Sequence, residues 1–421
     1  MERVGHAGAS NLGIVAGDRQ GSAFEALRVR WSADPSNLIR VVPAKEVEDA
    51  LHCRRPDVAG PLTFCVEGVD QMVLHSTMRR AAAVVAVAAV TGLLASCSVL
   101  GSEEPAGESI TLVTHDSFTV SDEVMVAFTQ DSGITVEPVA PGDGGALVNQ
   151  LVLTKDSPLG DVAFGVSDTF ASRGVNEGVF APYTSPNLPA SAEPYRFGEA
   201  LTPIDFSDVC LNVDLAWFDA QGLTPPVTFD DLLRPEYANL AVVTNPATSS
   251  PGLNFLVATI AAKGEDGWAD YWAQLRENGV KVVDGWSDAY YVDFTGAGGD
   301  GDRPIALSYS SSPPYTMGED EQPTTAALLE TCSRQIEYAG VLAGAANPEG
   351  AQAFIDFMLS EQFQADLPEQ MFVYPIDSEV VLPAEWAQFA PQAEEPFTLT
   401  PEQIDAGRTG WIEEWTSVVL E

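Results

Sequence analysis

Between residues 109 and 309, short β-branched runs alternate with segments of helical apolar spacing. No other feature restricts the fold of this chain as strongly. Strands are predicted over 109–115, 134–139, 161–165, 240–244 and 304–309, with helices over 121–129, 145–154, 251–263 and 265–278. Strand–helix–strand units of this length place strands side by side in parallel, with the helices lying over the sheet. Two further helices are predicted over 348–360 and 401–419, and the Gly- and Asp-rich stretch 294–303 reads as an exposed loop. The expected class is α/β, with no internal repeat.

The N-terminal hundred residues carry a different pattern. Arg79 and Arg80 precede a small, apolar run from Ala81 to Ala95, which ends in Leu94-Ala-Ser-Cys97. About 20 apolar residues are needed to span a bilayer, so this run reads as a secretory signal. Leu-Ala-Ser-Cys resembles a bacterial lipobox, which implies cleavage before Cys97 and lipid on that cysteine. The expected organisation is a signal over 78–96 and a lipidated tether over 97–108. Residues 1–77 have no sustained periodicity and read as an upstream extension, with translation beginning at Met78. Beyond Cys97 the cysteines are Cys210 and Cys332. In an oxidising compartment they form a disulfide or remain buried thiols.

Charge excludes several classes of partner. The chain holds 20 Lys and Arg against 61 Asp and Glu, a net charge of −41. Nucleic acid and anionic lipid surfaces both repel such a protein, leaving the lipid anchor as its expected membrane contact. The glycines at 296, 298 and 301 satisfy a dinucleotide-type spacing. A strand follows them, whereas the fingerprint requires a helix whose N-terminus can hold a pyrophosphate. His115 is the sole histidine beyond residue 77. Hydrolytic triads and zinc sites are therefore short of ligands, and neither a cofactor nor a metal is expected.

The informative residues cluster at strand ends. They are Thr114-His-Asp-Ser-Phe118, Asp143-Gly144, Thr248-Ser249-Ser250, Asp284-Gly-Trp286, Tyr309 and Tyr315. In open α/β sheets, ligands bind outside the carboxyl ends of strands. Aromatic faces attract cations, and a carboxylate such as Asp143 accepts hydrogen bonds from an amino group. A helix start with Thr248, Ser249 and Ser250 suits a phosphate or simply caps the helix. This set fits a flat cation that can also carry phosphate.

Five segments then make the resemblance specific: Thr114-His-Asp-Ser-Phe118, Thr248-Ser-Ser-Pro-Gly-Leu253, Gly285-Trp-Ser-Asp-Ala-Tyr290, Leu307-Ser-Tyr-Ser-Ser-Ser-Pro-Pro-Tyr315 and Tyr374-Pro375. In this order, with Trp411-Ile-Glu-Glu-Trp415, the chain resembles the thiamine-binding proteins of bacterial ABC importers over about residues 109–418. The resemblance implies a two-lobed, type II periplasmic-binding fold. Each lobe is a mixed sheet flanked by helices, with lobe 1 at 109–206 plus 338–421 and lobe 2 at 207–337. The strands 205–214 and 334–342 cross between the lobes as a hinge, which brings Cys210 and Cys332 close enough to pair. It also implies a monomer, outside the cytoplasm, that delivers thiamine or its phosphates to a permease. Asp143 would hold the aminopyrimidine and Ser249 with its neighbours the hydroxyethyl or phosphate end. His115, Asp116, Gly144, Trp286, Tyr309, Tyr315 and Phe372 would complete the site. His115 and Phe372 stand where Gram-negative relatives carry Tyr and Trp. Protonation of His115 beside a cation is expected to weaken binding below about pH 6. Ferric ion or a polyamine on the same fold, and a secreted hydrolase, are the competing readings.

Overall fold

A computed structural model describes residues 108–421. The segments 1–77 and 78–96, Cys97 and the tether as far as residue 107 lie outside the described residues.

In chain order the strands are β1 (Ser109–Val113), β2 (Thr135–Val139), β3 (Val162–Ser167), β4 (Thr202–Asp214), β5 (Ala241–Thr244), β6 (Lys281–Val283), β7 (Ile305–Tyr309), β8 (Thr325–Ala327), β9 (Ser333–Val341) and β10 (Tyr374–Pro375). The helices are α1 (Asp122–Ser132), α2 (Gly144–Leu153), α3 (Asp168–Asn176), α4 (Leu215–Gln221), α5 (Ser250–Lys263), α6 (Trp268–Glu277), α7 (Pro348–Met358), α8 (Glu361–Met371), α9 (Ala384–Phe389) and α10 (Pro401–Val419). All ten strands join one sheet, ordered β2-β1-β3-β9-β4-β7-β5-β6, with β8 and β10 paired to β4.

Parallel pairing occurs at both ends of this sheet, β2-β1-β3 at one and β7-β5-β6 at the other. Between them β4 and β9 run antiparallel to each other and to their outer neighbours. This pattern is mixed α/β with two long strands crossing its middle. Residues 294–303 form a turn-rich loop with Gly298, Asp300 and Asp302 exposed, anchored at its start. Phe294 is fully buried against Tyr290, and its backbone bridges to Arg303.

Local chemistry sets the helix ends. Ser249 caps α5 by accepting from the Gly252 N–H, with Pro251 in the first turn. Asn347, Ser360 and Thr400 cap α7, α8 and α10 in the same manner. Buried residues surround α5 on every side, so it is a core helix rather than a covering one.

Two large clusters fill the interior. Ile110, Leu112, Phe128, Phe354 and Phe363 pack α1, α7 and α8 beneath β1 and β3. Val242, Leu307, Phe255, Trp272 and Trp415 join β5 and β7 to α5, α6 and α10. In α10 the buried Ile404, Arg408, Trp411, Trp415 and Val419 fall at helical spacing. Trp415 packs edge-on against Trp272 of α6, while Arg408 donates to Ser172 of α3. The C-terminal helix therefore packs against elements of both halves of the sheet. Cys210 of β4 and Cys332, just before β9, are disulfide-bonded (S–S 1.98 Å) and fully buried.

Candidate functional site

A cavity of about 220 Å³ opens where the ends of β1 and β7 face each other across β9. Its walls come from both halves of the sheet. The loop after β1 supplies His115, Asp116 and Phe118, the end of α8 supplies Phe372, and β9 supplies Glu337. Trp286, Ser287, Tyr291 and Tyr309 come from the other half.

The aromatic wall is preorganised. Asp288–Asp293 is a π-helical turn that stacks Tyr290 on Trp286, with centroids 5.1 Å apart and planes 13° from parallel. The Trp286 Nε1–H donates to Ser308 Oγ at 2.9 Å, which fixes the indole plane. Tyr291 meets the same indole edge-on, and Tyr309 lies tilted at 5.8 Å. Phe372 ends α8 with φ of 61°. Left-handed backbone is uncommon for a bulky residue and concentrates at functional sites. Its carbonyl is held by the Ser311 hydroxyl.

His115 occupies a notch in β3. A Cβ at Gly165 would sit 2.1 Å from the imidazole Cδ2, and Gly165 has φ of 90°, so glycine is required twice over. The ring pairs Nδ1 with Ser117 Oγ at 2.9 Å and places Nε2 3.8 Å from Glu337 Oε2. Burial lowers its pKa to about 4. This corrects the expected loss of binding below pH 6, because the imidazole stays neutral until about pH 5. A dependence on pH between 6 and 8 must come from another group.

Two acids mark the mouth. Asp116 is exposed, and burial of its carboxyl followed by the facing charge of Asp288 raises its pKa. They are set to attract a cation approaching the cavity.

Asp143 is not in the cavity wall. It is a buried acceptor for three backbone donors: Gly144 N at 2.5 Å, Ser250 N at 3.0 Å and Trp286 N at 2.9 Å. Its pKa is raised by burial, and these bonds oppose the shift. One carboxylate thus ties the start of α2 to the start of α5 and to the Trp286 segment. Gly144 permits the approach, since a Cβ there would meet Ser250 Oγ at 2.0 Å.

Thr248, Ser249 and Ser250 likewise lie outside the cavity. Thr248 donates to the Asp284 carbonyl, Ser249 caps α5, and the Ser250 N–H is taken by Asp143. The helix start read as an anion corner therefore holds a protein carboxylate. Tyr315 stands behind the wall, ring against Phe372, its hydroxyl donating to the Pro368 carbonyl. The structure therefore gathers His115, Asp116, Trp286, Tyr309 and Phe372 around one space and sets Asp143, Gly144, Thr248, Ser249, Ser250 and Tyr315 around it.

The residue missed in the sequence is Glu337. Its signal is a lone acid between Ile336 and Tyr338 in an otherwise buried strand, and Asp205 shows the same feature between Ile204 and Phe206 of β4.

The chain is similar to known proteins over most of the described residues. The bacterial extracellular solute-binding protein family matches residues 157–309. A thiamine-binding periplasmic protein of Salmonella typhimurium is 28% identical over 78% of this chain and 97% of its own length. One from Brucella suis is 29% identical over 74% of this chain and 92% of its own. Among solved structures, a periplasmic thiamin binding protein superposes with TM-score 0.66 at 27% identity, covering 74% of this chain and 96% of that one. The chain has the type II periplasmic-binding fold and is similar over about three quarters of its length to thiamine-binding periplasmic proteins.

Proposed function

We propose that this chain captures thiamine or one of its phosphate esters outside the cytoplasm and hands it to the permease of an ABC importer. It acts as a monomer held at the membrane by lipid on Cys97. The observation that carries the reading is the aromatic-walled, acid-lined cavity built from both halves of the sheet. Its lining holds Asp116 and Glu337 but no Lys or Arg, so it favours a flat cation. Residues 109–206 with 338–421 and residues 207–337 act as two lobes that close about β4 and β9. At about 220 Å³ the space is below the roughly 300–1,000 Å³ of common ligand sites, so entry of a two-ring ligand requires opening.

Calorimetry with thiamine, its monophosphate and its diphosphate, alongside Fe³⁺ and spermidine, tests the proposal. At least one thiamine form is expected to bind most tightly, and no heat with any of the three overturns it. Ferric ion is disfavoured because no group of three or more His, Cys, Asp or Glu side chains among the described residues is placed to hold a metal ion.

The Ser117–His115 bond raises a hydrolase as a second reading. An imidazole with a pKa of about 4 is a weak general base at neutral pH, and its carboxyl neighbour lies beyond hydrogen-bond distance. The chain is therefore proposed as a carrier rather than an enzyme, and thiamine monophosphate should be recovered intact after prolonged incubation.

Trp286→Ala should weaken thiamine binding several-fold to a hundredfold, from lost stacking and buried area worth roughly 1–3 kcal/mol. Removing so large a buried side chain also destabilises the fold by about 3–5 kcal/mol. Trp286→Phe is the companion, since it keeps a ring and loses the bond to Ser308. An unchanged dissociation constant in both folded variants would remove Trp286 from the site.

A further inference from the structure

We propose that Glu337, paired across the crossing strands with Asp205, is the anionic contact for the bound cation, and that Glu337 releases a proton on binding while Asp205 keeps its own. This inference rests on the thiamine reading and assigns the pair both the ligand's countercharge and a pH response.

The geometry begins with register. Asp205 of β4 and Glu337 of β9 are direct partners in the antiparallel ladder, so their side chains leave the same face of the sheet. Asp205 is fully buried and Glu337 is 6% exposed. Glu337 lines the cavity, and its cross-strand partner Asp205 does not. Neither Asp205 oxygen has a hydrogen-bond donor facing it. His115 Nε2, on the same cavity wall and more than nine-tenths buried, also has no partner. Glu337 receives one long contact, from Gln335 Nε2 at 3.4 Å.

Every titratable group facing Glu337 is acidic or neutral. Asp143 at the start of α2, Asp168 at the start of α3 and Asp205 present carboxyls, while Tyr309 ends β7 and His115 follows β1. No Lys or Arg among the described residues pairs with Glu337 or Asp205. Two adjacent buried carboxylates cannot both remain charged in such surroundings. With a proton on each, neither is a buried charge, and when Glu337 alone ionises the Asp205 carboxyl donates to it. Burial, then the charges of Asp143 and Asp168, raises Glu337 to about 8, and burial with Glu337 raises Asp205.

A cation seated on Trp286 and Tyr309 would reverse this balance. Its positive charge beside Glu337 favours the carboxylate, so one ligand cation enters as one proton leaves, and the net charge of the site stays constant. Linkage makes affinity rise with pH while the free pair is protonated and level off once it is not.

The test is calorimetric titration with thiamine from pH 6 to 8.5, in two buffers of different ionisation enthalpy. Expected are close to one proton released per thiamine at pH 7, and a dissociation constant falling by roughly tenfold per pH unit at most, levelling above about pH 8. An uncharged analogue carrying thiophene in place of thiazolium should bind without proton release. Glu337→Gln should abolish both the release and the pH dependence. The unliganded protein should lose thermal stability as pH rises from 6 to 8, because its raised carboxyls bind protons more tightly folded than unfolded, and the thiamine-saturated protein should lose less. These wild-type measurements decide the matter even if the variant fails to fold. Tight binding that is flat with pH and releases no proton overturns the inference and leaves the thiamine reading standing. Failure of all three thiamine forms to bind at any pH overturns both.

Discussion

Asp143→Ala is expected to weaken thiamine binding by about a hundredfold, although in this structure its carboxylate touches backbone rather than the cavity. Three N–H groups from three separate segments converge on it: Gly144, Ser250 and Trp286. Alanine would leave buried donors without an acceptor, at about 1–3 kcal/mol for each group that water cannot reach. Opening of the cleft lets water satisfy them, so the loss falls on the closed arrangement more than on the fold. A cost of about 3 kcal/mol to closure is about two decades in affinity. Asp143→Asn should be intermediate, since it keeps one carbonyl acceptor but turns an amide N–H₂ toward donors. Small-angle scattering should show the unliganded Ala variant more extended than wild type. A dissociation constant within threefold of wild type, with unchanged compactness, would mean that this carboxylate does not hold the cleft.

The same carboxylate shows where sequence reading reaches its limit. Asp143 was legible as important because it precedes a Gly-Gly helix start at a strand end. The resemblance places it at the ligand's amino group, and in this structure its carboxylate accepts from backbone N–H groups at the starts of α2 and α5. The start of α5 had been read as a phosphate corner, and both readings rest on the same physics: N–H groups at a helix N-terminus favour an anion. Sequence showed the anion-receptive end but not that a protein carboxylate from the opposite half fills it.

The strands and helices were legible because their periodicity is local. The β1 run has Ile110, Leu112 and Val113 buried, and α10 repeats its buried positions at helical spacing. His115, Trp286, Tyr309 and Phe372 stand out in the sequence because they end neighbouring elements, and the structure places them around one cavity. Glu337 and Asp205 were not, since their meaning lies in pairing register: a shift of one residue in either strand would turn one carboxyl to the other face of the sheet. Tyr315 failed for a related reason. It follows β7 as closely as the motif requires, yet Phe372, in its left-handed turn, takes the cavity face and leaves Tyr315 behind it.

Loss of the Cys210–Cys332 bridge is expected to act on stability and spare affinity, the converse of Asp143→Ala. The two cysteines are 122 residues apart in sequence, and the loop between them contains β5 to β8 with α5 and α6. Closing a loop of that length restricts the unfolded chain by about 4.7 kcal/mol in the chain-entropy account, and native bridges typically contribute 2–5 kcal/mol. For a domain of this size about 4 kcal/mol corresponds to a fall in melting temperature of roughly 10 °C. Cys210→Ala with Cys332→Ala, or reduction of the wild type, should both show it. Neither cysteine lines the cavity, and both sit fully buried at the crossing strands. The dissociation constant for thiamine at 25 °C should therefore stay within a few-fold of wild type, provided the reduced protein remains folded. Melting that is indifferent to reductant would show that the bridge contributes nothing in solution. A large loss of affinity in a still-folded thiol form would instead show that the crossing strands need the bridge to position Glu337 and Asp205, which lie five residues along their strands from Cys332 and Cys210.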